Sequence, residues 1–513
     1  MLEVRQRLAS GRGRESGSDV ADRAGLVAYY ANDAAKPVWT AASGFNARAD
    51  RAKAEIRKAD DWGLKASAFD LPAALPADAS PQVRADAEIK LGLAALKYAR
   101  HARGGRLDPQ SVSKLLDRKP RIYDPKTLIE ALAATEATDA YLRELHPKHA
   151  QFKNLRKALA AARNSTEAPP PVAETVAEPA PVKGSAKKLA TRTKSDSKSE
   201  TIQRLVVNME RWRWMPDDLG DFHVMNNVPE QITNTVSNGK IVFTERIVVG
   251  KTDTPTPNFS ADMQFVIFQP EWGVPGGIKN NEIAPLLRRA STSNSGWFGG
   301  GGERTPSSVL ARHGLRVSVN GQVVNPDSIN WSTVDVNRFN FIQPAGPTNV
   351  LGVVKFRFPN KHDVYMHDTP QKHLFSAGLR AFSHGCMRVQ NPVRFAEVLL
   401  EHDKGWPSDR VRSMVPRGGE VKLTKSIPVH SVYFTAMADA DGKVRTAGDL
   451  YGIDSRMASA LEGRSVAIAS RGEPGTAGGE VAQRARGERQ ERPKVQTARS
   501  SPSSNPFAGL FGN

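Results

Sequence analysis

The chain has 513 residues, of which 39% are hydrophobic, and a formal net charge of +18. At about 100–200 residues per domain that length allows two to four domains, and the low apolar content leaves part of it outside any packed core. No apolar run reaches the ~18 residues that a membrane-spanning helix needs, one cysteine excludes an intramolecular disulfide, and the absence of Cys/His finger spacing or a basic region with heptads turns the excess cations toward an acidic cell-wall polymer or anionic membrane face rather than nucleic acid.

In chain order, residues 1–20 are basic and Ser/Gly-rich and predict disorder. Residues 21–163 are rich in Ala, Leu, Arg and Lys. Between Ala85 and Arg103, Ile89, Leu93 and Leu96 recur at helical spacing, and Leu91 and Tyr98 widen the apolar face. Residues 127–145 and 152–163 read the same way, so this stretch predicts a small all-α domain with His101, His146 and His149 at its surface or at helix caps. Residues 164–200, dominated by Pro, Ala, Ser and Lys, read as a linker.

Residues 201–462 change character. Ser199 or Thr201 is placed to cap a helix carrying Leu205, Met209 and Trp212. Short β-signals follow at 222–228, 231–236, 241–250, 263–269, 315–320, 354–358 and 363–367. Asn238-Gly239 is a two-residue hairpin signal, because both positions need positive φ. The pattern predicts a mainly β domain in which Trp212 and Trp214 pack in the core. A helix opens at Asn391-Pro392 and turns Phe395, Val398 and Leu399 inward. Residues 463–513 read as a disordered basic tail.

Chemistry concentrates in Asp363–Pro392. Cys386, the lone thiol, follows His367 by nineteen residues and His384 by two. A free thiol is only a few per cent ionised at neutral pH, and a neighbouring imidazole that takes its proton makes it a nucleophile. Gly385 lets the backbone bend so that amides near Cys386 face a developing oxyanion, each such donor being worth about 2.7–4 kcal/mol. A zinc set of His367, His373, His384 and Cys386 is the competing reading, but structural sites favour several thiolates and catalytic ones a more regular spacing.

Ser383-His384-Gly385-Cys386, one residue and Arg388, preceded by His367 in YMHDTP, resembles the catalytic signature of the L,D-transpeptidases of bacterial cell-wall synthesis. The likeness runs over residues 201–462 and, through GLVAYYANDAAKPVW and the helices after it, over a helical scaffold at 20–163, as in the large Gram-negative branch of that family. It implies a multidomain α+β chain: a helical scaffold domain at 21–163, then a mainly β catalytic domain at 201–462 with a capping insertion at 272–343. The insertion's segment NSGWFGGGGERTPSS reads as a lid. Two departures stand out. The small peptidoglycan-binding domain common in the branch is replaced by the 164–200 linker. No export signal follows Met1, so a periplasmic enzyme would have its signal encoded upstream.

The roles implied by the resemblance are as follows. Cys386 is the nucleophile and His367 the general base and acid. A backbone carbonyl near Asp368 orients the imidazole, and Gly385 and Cys386 supply oxyanion amides. His384 gives structural and electrostatic support. Arg388 binds a substrate carboxylate or steadies the loop, Ser383 hydrogen-bonds within it, and Tyr365 lines the pocket. Trp272 and Trp331 stand near the lid, His373 in a plain loop and His362 in a solvent-facing turn. The implied reaction takes a peptidoglycan tetrapeptide stem, forms a thioester, releases D-Ala and passes the acyl group to an amine as a 3→3 cross-link, with no metal or cofactor. Hydrolysis, attachment of an outer-membrane protein to the wall, and a catalytically silent wall-binding scaffold are the alternatives.

Overall fold

The structure is a computed structural model that describes residues 1–10, 17–165, 197–292 and 305–464. Most of the 164–200 linker, the Gly-rich part of the expected lid and nearly all of the basic tail lie outside the described residues.

The described parts of residues 1–20, expected to be disordered, are helical. Leu2–Ser10 is a helix, and Gly17–Tyr30 is a second. Val4 and Leu8, one turn apart, are both buried in the same apolar cluster as Leu26, Tyr30 and Trp39. That shared stripe outweighs the segment's polar composition. The helical region centres on Pro81–Gly104, capped by Ser80, opened by Pro81 and ended at Gly105 with φ +89°. His101 and His146 are buried rather than superficial. His146 stacks on Trp62 with centroids 4.1 Å apart and meets the Tyr98 hydroxyl at 3.1 Å. His149 stands at the N-cap position of the Ala150–Asn164 helix without a side-chain cap bond.

The next helix, Lys198–Trp212, starts earlier than Ser199 or Thr201 would place it. Ser197 accepts from the Glu200 amide and Glu200 reaches back to Ser197, a reciprocal capping box that removes 197–200 from the linker. Trp212 and Trp214 are buried.

Nine strands form the main sheet: β1 Phe222–Asn227, β2 Ile232–Ser237, β3 Lys240–Gly250, β4 Phe259–Phe268, β5 Val354–Arg357, β6 Met366–His367, β7 Ala381–Ser383, β8 Met387–Val389 and β9 Gly419–Val432. Their order is β7-β3-β8-β6-β5-β4-β9-β1-β2, and β2 also pairs β3, so the sheet closes on itself. The β2–β3 turn holds Asn238 and Gly239 at φ +48° and +76°, the positive-φ pair that a tight hairpin demands. β9 pairs antiparallel with β4 and parallel with β1, tying the two ends of the domain together. The core under the sheet includes Val249, Phe268, Phe356, Met366 and Met387, with Phe395 and Leu399 from the Pro392–Lys404 helix packed onto it.

Residues 272–343 carry their own four-stranded sheet and an apolar cluster containing Trp272, Leu287, Trp331 and Phe341. Trp272 and Trp331 are both buried in that cluster. Arg118 of the helical region donates to the carbonyls of Phe259 at 3.0 Å and Ser431 at 2.7 Å. His362, expected to face solvent, instead meets Asp117 at 2.8 Å, so it belongs to the same junction.

Candidate active site

Strand alternation builds the site. In β6, His367 and Met366 point to opposite faces, and Tyr365 shares the face of His367. The parallel pairing Met366↔Met387 and His367↔Arg388 sets Arg388 beside His367. Cys386, two residues before Arg388, takes the same face. The antiparallel pairing Lys355↔His367 adds Lys355. Lys355, Tyr365, His367, Cys386 and Arg388 thus share one face, while Val354, Phe356, Met366 and Met387 fill the core on the other.

The turn before Cys386 is held by Ser383, which is 2% exposed. Its hydroxyl donates to the Cys386 carbonyl at 2.5 Å and accepts from the Gly385 amide at 3.1 Å. Gly385 adopts φ +112°, a conformation costly for any residue with a Cβ. Its carbonyl accepts from Thr256 Oγ1 at 2.9 Å. Of the two amides expected to face an oxyanion, the Gly385 N–H is occupied by Ser383, whereas that of Cys386 makes no hydrogen bond among the described residues. The same bonds make Ser383 a builder of the turn rather than a substrate ligand.

His367 is 5% exposed, and its Nδ1–H donates to the carbonyl of Asp368. A carbonyl only accepts, so Nε2 keeps its lone pair. The Asp368 carboxylate turns elsewhere, accepting from the Val353 amide at 3.0 Å and pairing with Lys372. Gly352 makes room for it, since a Cβ there would lie 2.3 Å from Asp368 Oδ2. Arg388, 3% exposed, donates to Gln371 Oε1 at 2.6 Å. It is embedded beneath the site rather than open to a substrate.

Burial governs the electrostatics. Desolvation, reinforced by the Arg388 and Lys355 cations and opposed by the Asp368 carbonyl, pushes His367 down to about 3. Desolvation pushes the Cys386 thiol up to about 11, against the opposing pull of Tyr365, Lys355 and Arg388. The resting pair is therefore a neutral imidazole and a thiol. Tyr365 is held well above the usual phenol range by burial and by the neighbouring Cys386, and it packs against the apolar cluster of the capping insertion that contains Trp272. Cys386 Sγ also lies 3.8 Å from the Asp363 carbonyl.

His384 does not join this face. Its Nε2 meets Glu282 Oε1 at 2.6 Å, and Glu282 lies in a π-helical turn, Lys279–Ile283, of the capping insertion. His373 is exposed in the short helix Lys372–Ser376. The structure thus joins Tyr365, His367, Cys386 and Arg388, and adds two residues that the motif did not name. Lys355 was legible in principle, because alternation in the strand VKFRF puts it opposite the core residues Val354 and Phe356. Glu282 carries no local signal; only the fold of the insertion brings it to His384.

Residues 24–159 match the model of the scaffold domain, and residues 221–414 match the L,D-transpeptidase catalytic domain. A Haemophilus influenzae protein, named "Putative L,D-transpeptidase", is 27% identical over 272 residues, covering 51% of this chain and 50% of that protein. The chain thus aligns with about half the length of that curated relative. Two solved structures share 41% coverage of this chain: an L,D-transpeptidase from Mycobacterium smegmatis, at 11% identity, 58% coverage of that chain and TM-score 0.19, and LdtMt1 in complex with imipenem, at 14%, 59% and 0.18. By these two matches, the chain carries a scaffold domain followed by an L,D-transpeptidase catalytic domain.

Proposed function

We propose that this protein is a cysteine L,D-transpeptidase acting on peptidoglycan stem peptides in the periplasm. The observation that carries the reading is the arrangement at β6 and β8. A neutral His367, its Nδ1–H held by Asp368, shares a sheet face with the chain's single thiol, whose own amide is unengaged.

The chemistry follows from those groups. His367 Nε2 takes the Cys386 proton as Sγ attacks the carbonyl of the L-centre of diaminopimelate in a tetrapeptide stem. The developing oxyanion meets the Cys386 N–H. The carbon–nitrogen bond breaks, and His367 returns the proton to the departing D-Ala amine, leaving a thioester. An acceptor amine then attacks, His367 takes its proton, the carbon–sulfur bond breaks and the thiol is restored. With a second stem as acceptor the product is a 3→3 cross-link. Each proton has a place to go within the pair, so no step calls for a metal or cofactor. The insertion at 272–343 acts as a cap, joined to the nucleophile turn through Glu282–His384 and through Tyr365, packed against its apolar cluster.

Incubating the purified protein with a tetrapeptide muropeptide and weighing the products tests this. A cross-linked dimer supports the reading. A tripeptide would mean hydrolysis, and a D-amino-acid exchange product would mean a different acceptor. Products only when an outer-membrane protein is supplied would mean protein attachment. No turnover at all would favour a silent wall-binding scaffold.

A further inference from the structure

We infer that Lys355 is a positioning residue for the nucleophile: its ammonium, seated on the ring of Tyr365, is the standing counter-charge that favours the Cys386 thiolate. This rests on Cys386 being the nucleophile, as proposed above.

The geometry comes from three elements. Lys355 faces His367 directly across β5 and β6, so its side chain enters the site by register rather than by flexibility. Its Nζ lies 4.0 Å from the centroid of the Tyr365 ring, a cation–π distance that fixes the end of an otherwise mobile chain. Tyr365 in turn lies beside the Cys386 turn, its carbonyl accepting from the Met387 amide at 3.1 Å. Among the described residues, Lys355 forms no ion pair; its neighbour on the same face, Arg357, takes Glu420 at 3.2 Å. The apolar side chain of Ile267, paired with Lys355 on β4, leaves no anion there.

A half-buried ammonium without a carboxylate partner gains from any negative charge that arises nearby. Around Cys386, the titratable or charged groups are Asp363, Tyr365 and His367 from β6 and its approach, Lys355 from β5, Arg388 from β8, and the Glu282–His384 pair from the cap. Glu420 on that face is taken by Arg357 and Glu282 by His384, so the thiolate is the anion that Lys355 is placed to meet. Burial lowers the lysine and Cys386 raises it again, which is the reciprocal of the lysine's pull on the thiol. The imidazole does not take this role, because it sits between two cations and stays neutral. An opposite charge within ~4–6 Å typically moves a thiol by about one unit or more, or about tenfold in thiolate.

The test is the rate of Cys386 alkylation by iodoacetamide between pH 7 and 9, read by intact mass, in the full chain. Lys355→Met should react about tenfold more slowly at every pH, while Lys355→Arg, which keeps the charge, should stay within about threefold of wild type. Thermal melting checks that both variants are folded. Should Lys355→Met misfold, Lys355→Gln, which also removes the charge, carries the same expected tenfold loss, and a wild-type rate in it overturns the inference equally. Wild-type alkylation in folded Lys355→Met, or equal tenfold losses in the Met and Arg variants, would overturn the inference. Alkylation needs no stem peptide, so a wild-type protein that alkylates normally but transfers nothing would sink the transpeptidase reading and leave this one standing.

Discussion

Replacing Ser383 by alanine removes one oxygen and loosens two peptide groups of the nucleophile turn, His384–Gly385 and Cys386–Met387. The hydroxyl donates to the Cys386 carbonyl and accepts from the Gly385 amide, in a residue 2% exposed. Removing the hydroxyl leaves two backbone groups without their partner, and partial relaxation keeps each at about 1–2 kcal/mol, the lower part of the ~1–3 kcal/mol range for an unsatisfied buried group. A loss of about 2–4 kcal/mol is expected, localised to the turn. Urea unfolding of the variant against wild type reads the stability, and hydrogen exchange at the Gly385 amide reads the locality. Acyl transfer should fall at least tenfold, because the turn no longer fixes the Cys386 N–H toward the oxyanion. A variant within about 0.5 kcal/mol of wild type would refute the energetic part. Transfer equal to or faster than wild type would refute the mechanistic part, since it would mean that a freed Gly385 N–H serves the oxyanion better than the held turn does.

His367→Ala should lose about 10²–10⁴ in transfer rate as a general base is removed, whereas His384→Ala and Glu282→Ala should resemble each other, with smaller losses and faster proteolysis of the cap; a larger loss in His384→Ala than in His367→Ala would reverse these roles. His430, bonded to Ser260 and Leu219 and pushed by burial down to about 4, binds its proton more readily when unfolded. Stability should therefore fall as pH drops from about 6.5 toward 4, by about 1.4 kcal/mol per unit from this residue, and His430→Gln should flatten the slope of urea midpoints; an unchanged slope counts against it. A carbapenem should add once, at Cys386, seen as a single intact-mass adduct; no adduct after prolonged exposure would weaken the transpeptidase reading.

Signals that live in a few adjacent residues were legible in the sequence. Asn238-Gly239 specified a hairpin because its backbone demand is local, and the Ser383–Arg388 run with His367 marked the site. Helical periodicity marked the Pro81–Gly104 helix. What escaped depended on partners far along the chain. β9 is fourteen residues long, yet its Lys, Thr and Pro content hides a strand whose pairing with β4 and β1 decides its fate. Leu2–Ser10 looked like disorder because two apolar residues suffice only when a core is waiting for them. The Gly385 amide was assigned to an oxyanion because the hydroxyl that claims it, two residues earlier, has many other directions open to it in an unfolded chain. Lys355 and Glu282 come to the site through sheet register and the insertion, neither of which the motif contains.

The thioester on Cys386 is the step on which the proposed function turns. Mixing the protein with a tetrapeptide donor, with no acceptor amine present, and measuring the intact mass at short times tests it directly. Expected is a single addition equal to the donor minus D-Ala, mapped to Cys386 and absent from Cys386→Ala. An unmodified protein while the donor is nonetheless consumed, or an adduct that survives in Cys386→Ala, would contradict it.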